Sequence, residues 1–165
     1  MPLLTNRVMP IMSLVFAGGI FGFFYAWVCS TMWGLDAIDP RVAIRAMQGM
    51  NASVRNGVFF PAFFLTPVVL GLTALLLRIS GQGRAALWFG AGALIYLCGG
   101  LFLTASINVP MNEALAKLTV PDDIDAAREI WVEYSQPWQV YNITRTLFSG
   151  LALVLAGIGA LAVRR

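Results

Sequence analysis

The sequence predicts an all-α integral membrane protein: a four-helix bundle with amphipathic helices in its two longer connections. Three observations carry this. Of 165 residues, 59% are hydrophobic and 12% charged, and the mean hydropathy is +0.77, whereas about a quarter of the residues in a water-soluble domain are charged. Four stretches hold no charge at all: Val8 to Leu35, Asn56 to Leu77, Ala85 to Asn112, and Thr146 to Val163. The arginines, finally, fall unevenly on the two sides that these stretches define.

A helix rising about 1.5 Å per residue needs about 20 residues to cross a hydrocarbon core about 30 Å thick. The spans are therefore expected near residues 8–32, 57–77, 85–107 and 143–163, the last taking in Ile143 to Arg145, within a single membrane domain over 1–165. The first run is too long for a cleaved signal peptide and no A-x-A site follows it, and the residues before Cys29 are not those of a lipidation site. Arg7, Arg78, Arg84, Arg164 and Arg165 share one side with no acid, while the other side holds six basic and eight acidic residues. The positive-inside bias then puts both termini in the cytoplasm of a multi-pass protein of the cell membrane. Ser80, Gly81 and Gly83 make a tight inner turn, and Gly18, Gly22, Gly71, Gly99, Gly100, Gly150 and Gly157 are expected where helices pack closely.

With no histidine, His-ligated haem, His-based zinc and imidazole triads are excluded. Cys29 and Cys98 lack metal-ligand spacing and lie at different depths, so neither a metal nor a disulfide is expected. The pI near 9.2 comes from a few arginines and does not point to nucleic acid.

The two outer connections carry the character. Pro40 to Asn56 reads as an amphipathic helix, with Ala43, Met47, Met50 and Val54 on one face and Arg41, Arg45, Gln48 and Arg55 on the other. Its arginines suit a lipid phosphate, a ligand, or a clasp onto the acidic second connection. Pro110 is expected to kink or restart the third helix and to free carbonyls near Thr104 to Ser106. Asn108 and Asn112, four apart, would face one side and satisfy that kink or bind a ligand. A further helix is expected from Pro121 to just before Pro137, its start favoured by Asp122, Asp123 and Asp125. Along it Ile124, Ala127, Trp131 and Tyr134 form a stripe, with Trp138 beyond. Such a stripe suits either an interfacial aromatic belt or a wall on which a flat aromatic ligand stacks. Arg145, at the start of the fourth span, is a costly charge: it snorkels, pairs with Glu113, or holds an anionic ligand oxygen. The halves also echo each other in Asn51…Arg55 and Asn142…Arg145, as a parallel repeat or as chance similarity.

Together Phe24-Tyr25-Ala26-Trp27, Met47-Gln48-Gly49-Met50-Asn51, Asn108-Val109-Pro110-Met111-Asn112, and the spaced Trp131, Trp138, Asn142 and Arg145 resemble the anthrone oxygenase-like family of small four-span membrane proteins, over almost the whole chain. The resemblance implies cofactor-independent oxygenation of an anthrone to an anthraquinone. On that footing Arg145 would hold the enolate or peroxide oxygen, Asn108, Asn112 and Asn142 would act as neutral donors, and Trp131 and Trp138 would stack on the rings. Glu113 is the favoured base, with Tyr25 and Tyr134 as alternatives. Tyr134, Asn51 and Arg55 complete the expected ligand site. The expected partners are membrane lipid and a planar aromatic small molecule. Self-association stays open, and the competing expectation is a noncatalytic small subunit of a larger membrane complex. A transporter is less favoured, since no ionisable residue lies mid-membrane.

Overall fold

The computed structural model describes residues 7–164, so Arg165 of the basic set lies outside them. Every regular element among the described residues is helical. Helix α1 (Met9–Ala26) runs through a π-helical turn, Trp27–Thr31, into α2 (Met32–Asp36). Amphipathic α3 (Pro40–Ser53) follows, and α4 (Phe59–Ile79) returns across the bundle. A turn through Gly81, whose φ of +76° suits glycine, leads to α5 (Gly83–Tyr96). That helix continues through π-helical turns Leu97–Phe102 and Thr104–Asn108 into α6 (Val109–Ala116), and α7 (Ile124–Leu161) closes the chain. Four rods are long and apolar enough to cross a membrane: Met9–Asp36, Phe59–Ile79, Gly83–Ala116 and Ile124–Leu161.

Packing runs round a ring, α1 on α4, α4 on α5, α5 on α7 and α7 on α1. Lipid solvates apolar side chains as well as a neighbouring helix does, so small residues and polar contacts must hold the ring. Ser13 Oγ and Thr73 Oγ1 hydrogen-bond at 2.8 Å across α1 and α4, and the Tyr96 hydroxyl donates to the Phe63 carbonyl at 2.9 Å. A Cβ on Gly99 would collide with Phe148, one on Gly100 would lie 2.7 Å from the Tyr96 ring, and one on Gly150 3.0 Å from Phe21. Gly18, Gly22, Gly71 and Gly157 do not serve as expected, since nothing lies within 4 Å of a Cβ there. Gly92, against the Ala152 carbonyl, and Gly159, against Phe89, make close approaches instead.

At one end α2, α3, α6 and the first turns of α7 form a cap with its own apolar core, in which Met32, Ile44, Met47, Leu115 and Trp131 are buried. Asp39 caps α3 by accepting from the Arg41 amide at 2.9 Å. The expected clasp between the two connections is only partly ionic. Arg41 pairs with its neighbour Asp39 and reaches the Asp122 carbonyl, while Gln48 donates to the carbonyls of Leu115 and Leu118. The cross-connection ion pair is Arg55 with Glu113, at 3.3 Å and half exposed.

One expected helix boundary is corrected. Pro137 does not end a helix: outer segment and fourth span form one 38-residue rod with Pro137 inside. Glu133, whose carbonyl loses its donor, and Pro137 itself are both exposed, so the freed group lies where solvent reaches it. Pro110 restarts the third rod, one of the two outcomes expected of it. The preceding wide turn lets the Val109 amide bond to the Thr104 carbonyl, and the proline then falls in the first turn of α6. Cys29 and Cys98 are free and exposed.

Replacing Gly99 with Ala should cost about 1–3 kcal/mol through overpacking against Phe148, whereas Gly18→Ala should be neutral or mildly stabilising; thermal unfolding in detergent compares them. The Arg41 guanidinium, hydrogen-bonded to Asp39, holds that carboxyl at about 2, below its ordinary 3.8. Its support for α3 is therefore present above pH 3.8 and lost as pH falls through about 2. Exchange of the Arg41 amide should accelerate over that interval, and already at neutral pH in Asp39→Ala.

Candidate functional site

Arg145 projects from α7 into the bundle and is only 5% exposed. Its Nε donates to Asn142 Oδ1 at 2.9 Å and its Nη1 to Thr104 Oγ1 at 3.3 Å. The guanidinium carbon lies 4.4 Å from the centre of the Phe24 ring and 5.1 Å from that of Trp138. Asn142 is held in turn, its Nδ2 donating to the Phe24 carbonyl at 3.3 Å. Neutral acceptors and aromatic faces thus offset part of the cost of a buried cation. Neither structural expectation for this residue holds. Arg145 does not snorkel, and it does not pair with Glu113, which Arg55 engages at the surface. Its Nη2 makes no hydrogen bond among the described residues, so it remains a donor toward the cavity that Arg145 lines.

That cavity encloses about 200 Å³, at or below the low end of the ~300–1,000 Å³ usual for small-molecule sites. Its wall is mainly aromatic: Phe23 and Trp27 from the first rod, Phe59, Phe60, Phe63 and Phe64 from α4, and Trp138 from α7. Asn51, Arg55, Thr104, Asn112 and Arg145 supply the polar groups. Trp27 and Thr104 each sit on a π-helical turn, a feature frequent at functional sites.

Five of the residues expected from sequence therefore share one chamber: Asn51, Arg55, Asn112, Trp138 and Arg145. Asn142 stands behind Arg145. Tyr134 stands behind Asn112, donating to its Oδ1 at 2.8 Å while accepting from Asn51 Nδ2 at 3.3 Å. Trp138 Nε1 donates to the same Oδ1 at 2.9 Å. With two donors on its oxygen, Asn112 leaves its amide NH2 for other partners. Trp131 does not line the chamber; its indole donates to Asp36 Oδ1 at 2.9 Å in the cap. Asn108 is fully buried, and neither of its side-chain polar atoms is hydrogen-bonded among the described residues. Glu113 lines a neighbouring vestibule with Gln48, Ala52, Ala116 and Lys117, into which Asn51, Arg55 and Asn112 also face.

Sequence reasoning missed Phe23, the four phenylalanines of α4, Thr104 and Asp36. The paired spacing of Phe59, Phe60, Phe63 and Phe64 was a legible signal for an aromatic face. Thr104 had none, because a threonine in a span looks like any helix-packing residue. Asp36 accepts from Trp131, Ser135 and Gln139 and ties the end of the first rod to α7. Among the described residues no group of three or more Cys, Asp or Glu could hold a metal ion.

The fold and the chamber define a class: a four-rod membrane bundle with a buried, aromatic-walled cation at its capped end. Residues 52–155, more than half of the chain, match the sequence model of the family described as Anthrone oxygenase, and the protein belongs to that family. The match takes in Arg55, Asn112, Trp138 and Arg145 but not α1 or Asn51. Comparison with curated proteins and with solved structures finds no match.

Changing Tyr134 to Phe strands Asn51 Nδ2 and removes one of the two donors on Asn112, a cost of about 1–3 kcal/mol for a buried group left unpaired. Chemical unfolding should show that loss, with the helical content of the native state unchanged.

Proposed function

We propose that the chamber binds a planar polycyclic phenol or ketone of the anthrone type and promotes its oxygenation by dioxygen, on the face of the membrane away from the cytoplasm. The observation that carries this is the buried Arg145, which has no carboxylate partner among the described residues and reaches an aromatic-walled space. A flat ligand gains from the ring faces, and a developing oxyanion gains from the guanidinium. Membership of the anthrone oxygenase family supports the same chemistry. The orientation rests on Arg7, Arg78, Arg84 and Arg164 lying at the opposite end without acids.

An anthrone carries a doubly benzylic CH2 opposite its carbonyl. Loss of one proton gives an enolate whose negative oxygen Arg145 and the Asn112 amide stabilise. The electron-rich carbon reduces dioxygen, and a C–O bond forms to give a hydroperoxide after protonation. Loss of the remaining C–H proton with cleavage of the O–O bond leaves a second carbonyl and releases water. One oxygen atom enters the product and the other leaves as water, and the four electrons taken up by dioxygen come from the CH2 carbon. No carboxylate lines the chamber, so water at the boundary shared with the vestibule takes the first proton and hands it to Glu113 there.

Oxygen uptake by the purified protein supplied with anthrone tests this. Arg145→Gln should lower the rate by about 10²–10³, the usual loss of an oxyanion donor. Glu113→Gln should cost less than about tenfold, below the ~10²–10⁴ of a base in direct contact. No acceleration over detergent alone would remove the enzymatic assignment. Co-isolation of a second protein at fixed stoichiometry would favour the subunit role instead.

A further inference from the structure

The chamber borders two different phases. Phe60 and Phe64 line it and are yet 40% and 49% exposed, and both lie in the first two turns of the apolar span α4. Side chains exposed at that level of a spanning helix meet acyl chains. At this level α4 packs along α5 but keeps little contact with the π-helical stretch of the third rod. Phe64 from α4 and Thr104 and Val109 from the third rod all line the chamber there. On the opposite side Asn51, Arg55 and Asn112 are shared with the vestibule, whose Glu113 and Lys117 are exposed.

We infer that the ligand reaches the chamber sideways from the bilayer, through the cleft between α4 and the third rod, as an uncharged lipid-dissolved polycycle. This rests on the binding function proposed above. The cleft is flanked by Phe60, Phe64 and Val109 and offers an ion nothing to replace its hydration, so the anion forms only after the ligand has passed the phenylalanines and met Arg145. The polar wall serves the other direction, passing protons and water to the vestibule. The substrate class narrows accordingly to neutral, membrane-partitioning ketones and phenols, and excludes sulfated or glycosylated forms that stay in water.

The test uses full-length protein in phosphatidylcholine vesicles, with Cys29 and Cys98 changed to alanine. Anthrone is the probe, and its binding is followed as stopped-flow quenching of tryptophan emission, since Trp27 and Trp138 line the chamber. Three single variants are compared before and after labelling: Phe64→Cys with a bulky lipid-soluble maleimide, Ala52→Cys in the vestibule with a charged thiosulfonate, and Val58→Cys in the groove between α1 and α4 with the same maleimide. Labelling at Phe64→Cys should slow association and dissociation together by about tenfold or more, leaving affinity nearly unchanged, as obstruction of a path does. Labels at the other two positions should leave both rates within about twofold. Slowing confined to the vestibule or to the α1–α4 groove, or equal rates everywhere, overturns the lateral route. Absence of quenching in the unlabelled parent overturns the binding function itself, and the route with it. Each labelled protein is referenced to its own unlabelled form, and a far-ultraviolet circular dichroism spectrum of unlabelled Phe64→Cys matching the parent controls for folding.

Discussion

A guanidinium buried among neutral partners sets the terms for the rest of this molecule. Arg145 sits within a spanning helix with Asn142 and Thr104 as acceptors and two aromatic rings at its faces. Placing a charge in a span is unfavourable by up to about 2.5–3.5 kcal/mol at the bilayer centre, and less toward the surface. A carboxylate at hydrogen-bonding distance would offset that cost more cheaply, but it would also neutralise the field. The arrangement instead leaves the charge without a carboxylate partner among the described residues. Asn142 is itself anchored to the Phe24 carbonyl, so α1 and α7 jointly fix the direction in which the cation points.

The cap supports that geometry. Asp36 gathers the indole of Trp131, the hydroxyl of Ser135 and the amide of Gln139, all on α7, while Tyr134 and Trp138 on the same helix converge on Asn112 from the third rod. The aromatic stripe of α7 is therefore divided by depth. Its outer members glue the cap together through their polar edges, and only Trp138 turns a face to the chamber. A stripe at helical spacing shows which side of a helix is used, but not which of its rings stay free for a ligand.

The four spans were legible because absence of charge over a bilayer's width is a strong physical requirement, and much of the site was legible because polar residues inside or beside such spans are costly. Asn51, Arg55, Asn112, Trp138 and Arg145 stood out for that reason and do converge. What stayed hidden depended on register. Asn108 and Asn112, four apart on either side of the junction between a π-helical turn and α6, part company: one is buried without a hydrogen bond among the described residues and the other lines the cavity. Pro137 looked like a stop signal because local propensity cannot tell a proline whose orphaned carbonyl meets solvent from one whose carbonyl is enclosed. The phenylalanines of α4 were indistinguishable in composition from side chains that merely face lipid.

The uninterrupted course of α7 carries a mechanical consequence. At 38 residues it is about 57 Å long, against about 40–45 Å for a bilayer with its headgroups, so its outer turns must stand clear of the membrane. Because the cap is built on those turns, the height of the phenylalanine-flanked cleft above the midplane is preset, like a mark on a tide gauge. Thinning the bilayer would lift that mark from the hydrocarbon into the headgroup zone, and thickening it would sink the vestibule away from water. The chain length of the surrounding lipid thereby sets whether the exposed rings of Phe60 and Phe64 meet hydrocarbon or headgroups, without any contact to the residues deeper in the chamber.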